Sequence, residues 1–216
     1  VARDLSQSAR TFLDVVWPAI RGLVGYGEIL PVEGTASAEM QKHFDQLAGI
    51  DAWQVAPEKG RMRGIASRVQ YGDRPWETFT IRYARKNGFE TEYAKRLAAI
   101  LDEDRGWILP HLTVQAYVTR GTPTLLLAAV TKTQDLYLST AAEIAEKGLR
   151  TRGPGVWVKT NPEDGTEFLC VSFDVLRDRG MVVKVRPSSA GVGGGRGVEK
   201  CQPVHRRGAD GRREGP

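Results

Sequence analysis

The side chains best suited to chemistry in this chain fall between Gly49 and Arg82, in the run GIDAWQVAPEKGRMRGIASRVQYGDRPWETFTIR. An acid, Asp51, stands where an extended stretch begins. Arg68 and Gln70 share one side of the next alternating stretch, because residues i and i+2 of a strand face the same way. Arg61 and Arg63 precede them, Arg82 closes a third stretch, and Arg85 and Lys86 follow it. Charge is segregated along the chain. Residues 1–58 carry four basic side chains against eight carboxylates, whereas residues 59–96 carry ten against four. A basic centre joined to an acidic part suits a site that needs cations for phosphates and carboxylates for a metal. A solvated charged surface is the plainer account of the same split. Ser67 has no convincing histidine partner, so serine-nucleophile chemistry is not expected.

The elements that must position these groups are read from periodicity. Phe12, Val15, Val16, Ala19, Ile20 and Leu23 recur at helical spacing. Pro18 interrupts them, which predicts either a kink or a second helix with proline in its first turn. Gly22, Gly25 and Gly27 then loosen the chain. Residues 37–47 restart a helix, with Ser37 as cap and Met40, Phe44 and Leu47 as its buried stripe. Three strands follow, at 51–55, 62–71 and 77–84, separated by the turns Pro57–Gly60 and Gly72–Pro75. On the second strand Ile65, Ser67, Val69 and Tyr71 oppose Ala66, Arg68 and Gln70. On the third, Phe79, Ile81 and Tyr83 oppose Thr78, Thr80 and Arg82. Each strand therefore has an apolar side and a polar side suited to phosphate.

Beyond them, Tyr93, Leu97, Ile100 and Leu101 predict a helix over 92–101, and Leu112–Val118 alternates as a half-buried strand. Leu125–Val130 is apolar without alternation, as a strand covered on both faces would be. Residues 133–147 predict a helix, and 156–159 with 167–173 predict a hairpin around Asn161–Gly165. From Pro187 the chain is rich in glycine and arginine and nearly free of large apolar residues. The expectation is one α/β domain over 1–186 and a disordered tail over 187–216. The tail's six basic and three acidic residues would add loose affinity for polyanions.

At 216 residues with 41% apolar and 26% charged content, the chain has the composition of a globular protein. No run approaches the roughly 18–20 apolar residues a membrane span needs. The amino terminus lacks a secretory pattern, and it opens on Val, so an unusual start or missing upstream residues is expected. Cys170 and Cys201 make neither a disulfide framework nor a zinc site, which points to a reducing, cytoplasmic setting.

The order helix, three strands, helix, strand over roughly 37–130, with the phrase GIDAW and the arginine-bearing strand after it, resembles the core of the PD-(D/E)XK nuclease superfamily. That superfamily includes restriction enzymes and Holliday-junction resolvases. The resemblance implies a restriction-endonuclease-like α/β fold: a central mixed sheet flanked by helices. It also implies a metal-dependent endonuclease that hydrolyses phosphodiester bonds with Mg²⁺, acts on DNA with RNA left open, and is compatible with a homodimer. In that family an Asp opens one strand and an acid-x-Lys triplet sits on the next. The two acids hold the metal and the Lys positions the attacking water. Asp51 takes the first acid position and Arg68 the Lys position. Ala66 stands where the second acid belongs, and Gln70 would supply an oxygen in its place. Glu39, or else Glu28 or Glu33, would be the helix carboxylate. The implied catalytic residues are Asp51, Arg68 and Gln70, and the implied metal ligands Asp51, Glu39 and Gln70. Arg61, Arg63, Arg68, Arg82, Arg85 and Lys86 would contact nucleic acid. A metal held by carboxylates suits this reaction because it both stabilises charge at phosphorus and generates hydroxide near neutral pH. Two other classes fit the same residues: a DNA-binding protein of this fold without the metal site, and a protein-interaction module.

Overall fold

The computed structural model describes residues 2–35, 37, 39, 49–84, 91–102, 108–177 and 182–186. The expected helix over 37–47 lies outside them except for Ser37 and Glu39, and so does the tail from 187. The amino-terminal apolar periodicity forms helix α1 (Ala2–Thr11), a π turn (Phe12–Val16) and helix α2 (Trp17–Val24). Pro18 sits in the first turn of α2, directly after the π turn. The break expected there is absorbed by the π turn, whose Trp17 N–H reaches back to Phe12 O.

Six strands form the main sheet, in the order β1 (Glu28–Pro31), β2 (Ala52–Ala56), β3 (Arg61–Tyr71), β5 (Leu112–Val118), β6 (Leu125–Lys132) and β9 (Val182–Val185). Only β3 and β5 pair in parallel, from Ile65 opposite Leu112 to Tyr71 opposite Val118, so the sheet is mixed. A parallel pair requires a long crossover. Here it contains strand β4 (Thr78–Ala84) and helix α4 (Glu92–Leu101). Between β1 and β2 lies a short helix, α3 (Val32–Thr35). The third strand expected from the sequence exists, but it leaves the main sheet. It pairs with β8 (Glu167–Ser172), which pairs with β7 (Val156–Thr160), in a separate antiparallel sheet. Helix α5 (Thr133–Lys147) follows β6, and helix α6 (Phe173–Arg177) follows β8.

Alternation sorts the main sheet into two faces. Ile65, Val69 and Tyr71 of β3 join Val114, Ala116, Ala128 and Val130 in a core against the π turn and α2. On the opposite face Tyr117, Leu127 and Ala129 pack with Phe79, Ile81, Leu169 and Val171 of the small sheet and with Leu136 and Tyr137 of α5. The unalternated run Leu125–Val130 is indeed covered on both faces. The small sheet docks edge-on. Alternate N–H groups of its outer strand β4 are taken by side chains of the layer beside it. Thr78 N–H donates to Tyr117 Oη at 3.2 Å, Thr80 N–H to Gln115 Oε1 at 3.1 Å, and Arg82 N–H to Glu92 Oε2 at 3.4 Å. An unpaired strand edge is thus satisfied without a further strand. Among the described residues no helix is long and apolar enough to cross a membrane.

Candidate nucleic-acid interface

The central hairpin carries polar residues on both faces, and the two faces have different surroundings. On the inner face, Asp51 precedes β2, and its carboxylate Oδ2 accepts the Ser67 N–H. Its own N–H donates to Ile65 O at 2.9 Å, which sets it beside Ala66. Arg68 lies further along this face. Its Nη2 meets Glu92 Oε2 at 3.0 Å, and its guanidinium lies over the Phe168 ring at 5.5 Å. Gln70 Nε2 donates to Thr80 Oγ1 at 3.2 Å.

Glu92, in the first turn of α4, is the centre of this layer. Besides Arg68 and the Arg82 N–H it takes Arg96 Nη1 at 3.0 Å and the Tyr137 hydroxyl at 3.2 Å, both at Oε1. Burial raises the Glu92 carboxyl pKa, but the Arg96 and Arg68 guanidiniums and the Arg82 amide outweigh it and hold the group below the usual carboxylate range. Burial also works against the Arg96 charge, and Tyr137, Glu92 and Asp51 restore it. Arg96 Nη2 donates to Gly49 O at 3.0 Å, tying α4 to the chain just before Asp51. The Tyr137 hydroxyl is pushed well above its ordinary value, by burial first and the Glu92 charge second, so it stays protonated and donates. Tyr117, buried under the β4 edge, is pushed up to about 12 by burial.

Several of the groups a Mg²⁺ site would draw on have other partners among the described residues. The Asp51 oxygen is engaged by a backbone N–H, and Glu92 is flanked by two guanidiniums. The Gln70 amide donates to a hydroxyl. Glu39 is exposed, with its neighbours outside the described residues. Among the described residues no three of His, Cys, Asp and Glu gather as a metal would need. The inner face thus brings Asp51 and Arg68 into one charged network through Arg96 and Glu92.

No family model, curated protein or solved structure matches the chain. What the protein does must therefore be argued from its own surface.

The outer face of the hairpin differs. Gln54 lies opposite Arg63 and Ala56 opposite Arg61, on the same side as Ala52 and Ile65. The turn between the strands is a 3₁₀ turn, Pro57–Lys59, closed by Gly60 at φ +56°, a left-handed conformation that favours glycine. Lys59, Arg61 and Arg63 line a shallow pocket with Gln54, Ala56 and Tyr26. None of the three cations makes an ion pair among the described residues. Of the other basic candidates, Arg82 contributes its backbone N–H to Glu92, and Arg85 and Lys86 lie outside the described residues.

Sequence reasoning missed Glu92, Arg96, Tyr137, Gln54 and Tyr26. Glu92 and Arg96 stand four apart, a signal for a helix-surface pair. Nothing in that spacing tells that this side of α4 is covered. His111, in turn, is structural: its Nδ1 accepts the Gly64 N–H at 3.1 Å beside the first rungs of the β3–β5 ladder.

Proposed function

We propose that the protein binds nucleic acid, DNA in the first instance, through the outer face of the β2–β3 hairpin. Lys59, Arg61 and Arg63 would grip the phosphate backbone. The supporting observation is the division of the arginines: Arg68 is neutralised by Glu92, whereas the hairpin cations have no carboxylate partner among the described residues. Cations already held in an ion pair must give up that pair to bind phosphate. Unpaired ones only release counterions.

A second reading, metal-dependent hydrolysis, draws on Asp51 and Arg68 sharing the inner face. It stands or falls on cleavage measured directly.

Labelled duplex and single-stranded oligonucleotides titrated across a salt series would test the binding reading. Affinity should fall steeply with salt. The Arg61→Ala/Arg63→Ala double variant should lower the log–log slope by roughly 1.4–1.8, for two contacts at about 0.7–0.9 each. Arg68→Ala should leave the slope in place and lower thermal stability instead. Absent or salt-independent binding would remove this reading in favour of a protein-interaction module. Cleavage in Mg²⁺ or Mn²⁺ that Asp51→Ala abolishes would replace it with the nuclease reading.

A further inference from the structure

Gln54 is 3% exposed, and its orientation is fixed by its neighbour. The Gly25 carbonyl only accepts, so the amide must turn its Nε2 toward it, and the two lie 2.8 Å apart. The other end, Oε1, is then a buried acceptor without a partner among the described residues, in a side chain that lines the pocket. A buried acceptor left unmet is unfavourable, so one that persists invites a donor from outside. The pocket's enclosed part is only about 30 Å³, room for a donor group or a water but not for a ring. At its rim stands Tyr26, 78% exposed, carried between Gly25 and Gly27. Gly27 presses close to the strand. A Cβ there would lie 2.9 Å from Val55 O and 3.1 Å from Gln54 Cγ, so the absence of a side chain lets the Tyr26 segment sit directly over Gln54. Lys59, Arg61 and Arg63 complete the lining.

A ligand that satisfies all of these features carries an N–H on the edge of a flat ring and negative charge beside it. We infer that the pocket takes an unpaired nucleotide of a single strand. The ring lies against Tyr26, the flanking phosphates meet Lys59, Arg61 and Arg63, and a donor on the base edge faces the Gln54 side chain. A paired base has its Watson–Crick edge occupied and its faces stacked, so duplex would not fill the site. This inference rests on the nucleic-acid reading above and adds to it the class of strand.

Fluorescence anisotropy on the full chain, with three oligonucleotides of equal length at one low salt concentration, separates the two claims. The probes are a mixed-sequence single strand, the same backbone made entirely of abasic sites, and a duplex. The base-bearing strand should bind best. Tyr26→Ala changes an exposed side chain and should weaken that strand by roughly fivefold to a hundredfold, as loss of one base stack does, while leaving the abasic strand unchanged. Gln54→Met should act in the same direction on the same probe, with its melting temperature measured alongside. If Gln54→Met proves unstable, Tyr26→Ala decides alone. Equal binding of base-bearing and abasic strands would overturn the pocket while leaving backbone binding through Arg61 and Arg63 intact. So would a Tyr26→Ala effect of the same size on both, as when Gln54 holds only a water. No binding of any probe would overturn both claims. A free mononucleotide that competes at concentrations comparable to the strand would overturn the strand in favour of a small-molecule nucleotide.

Discussion

Replacing Glu92 by Ala would remove one carboxylate from four donors. Two of these, the Arg82 N–H and the Tyr137 hydroxyl, are neutral. The Arg68 side chain is 29% exposed and finds water. Arg96 is different: its side chain is 9% exposed, its remaining hydrogen-bond partners are the neutral Tyr137 hydroxyl and the Gly49 carbonyl, and the only other carboxylate acting on it among the described residues is Asp51. Truncating one partner of a buried pair costs about 3–5 kcal/mol, chiefly because the other charge is left buried and unmatched. Glu92 itself is 21% exposed, so the lower end, about 3 kcal/mol, applies. At about 2–4 °C of Tm per kcal/mol for a chain of this size, Glu92→Ala should melt roughly 6–12 °C lower. Acid provides an independent check. The folded-state pKa of Glu92 lies below its unfolded value, so its contribution is fully present above about pH 4.5 and is lost as pH falls through the lower folded value. The Tm difference between the wild type and Glu92→Gln should therefore be large at pH 7 and shrink below about pH 4. Calorimetry or circular dichroism at pH 7, 5, 4 and 3 would measure it. An Ala variant that melts with the wild type, or a Gln difference that is constant with pH, would refute the claim that Glu92 neutralises buried arginine.

Two further predictions concern the backbone. Glu77 has φ +54°, in the left-handed region, and its carboxylate holds Lys184 at 3.0 Å and also Arg186; Glu77→Gly and Glu77→Ala both lose that hold on β9. Only the Gly variant accepts the angle freely, so it should be the more stable by about 1 kcal/mol in urea unfolding, and equal midpoints would contradict this. Gly27→Ala places a Cβ 2.9 Å from Val55 O, a backbone atom that cannot swing aside. It should cost about 1–3 kcal/mol, and a neutral result would mean that the Tyr26 segment is free to move off β2.

The strands and helices were legible because their signals are local. The alternation of Ile65–Tyr71, the apolar run Leu125–Val130 and the turn Pro57–Gly60 each give the observed element nearly to the residue. The strand β1, which Gly25 and Gly27 concealed, and the short strand β9 were not legible, because a four-residue edge strand has too few positions to show a period. Sheet membership was not legible either. Periodicity says that Thr78, Thr80 and Arg82 share a side, but not that β5 rather than β4 takes the free edge of β3. That choice depends on contacts across some 47 residues, as between Ile65 and Leu112. The same limit governs the site. The side shared by Arg68 and Gln70 was readable, but its covering by α4 and β4 was not, so groups that look available for phosphate are already engaged, Arg68 by Glu92 and Gln70 by Thr80.

This difference between the faces carries the functional argument. Strand β3 has arginines on both sides, at 61 and 63 on one and at 68 on the other. Wherever the fold covers an arginine it must neutralise it, because a lone buried guanidinium is far too costly. Glu92 meets that need for Arg68 and Arg96 together, and Tyr137 completes its shell. No such need exists at the hairpin tip, where Lys59 and Arg61 are solvent-exposed. Cations without an ion pair among the described residues, grouped around one pocket, repel one another, a small destabilisation relieved when a polyanion binds. Gln54 follows the same reasoning in neutral form: its Oε1 is buried and unmet among the described residues, in a side chain that lines the same pocket as those cations. Arginine pairing is complete where β3 supports the fold and lacking where the surface is open. The open hairpin end is therefore where a partner should be sought.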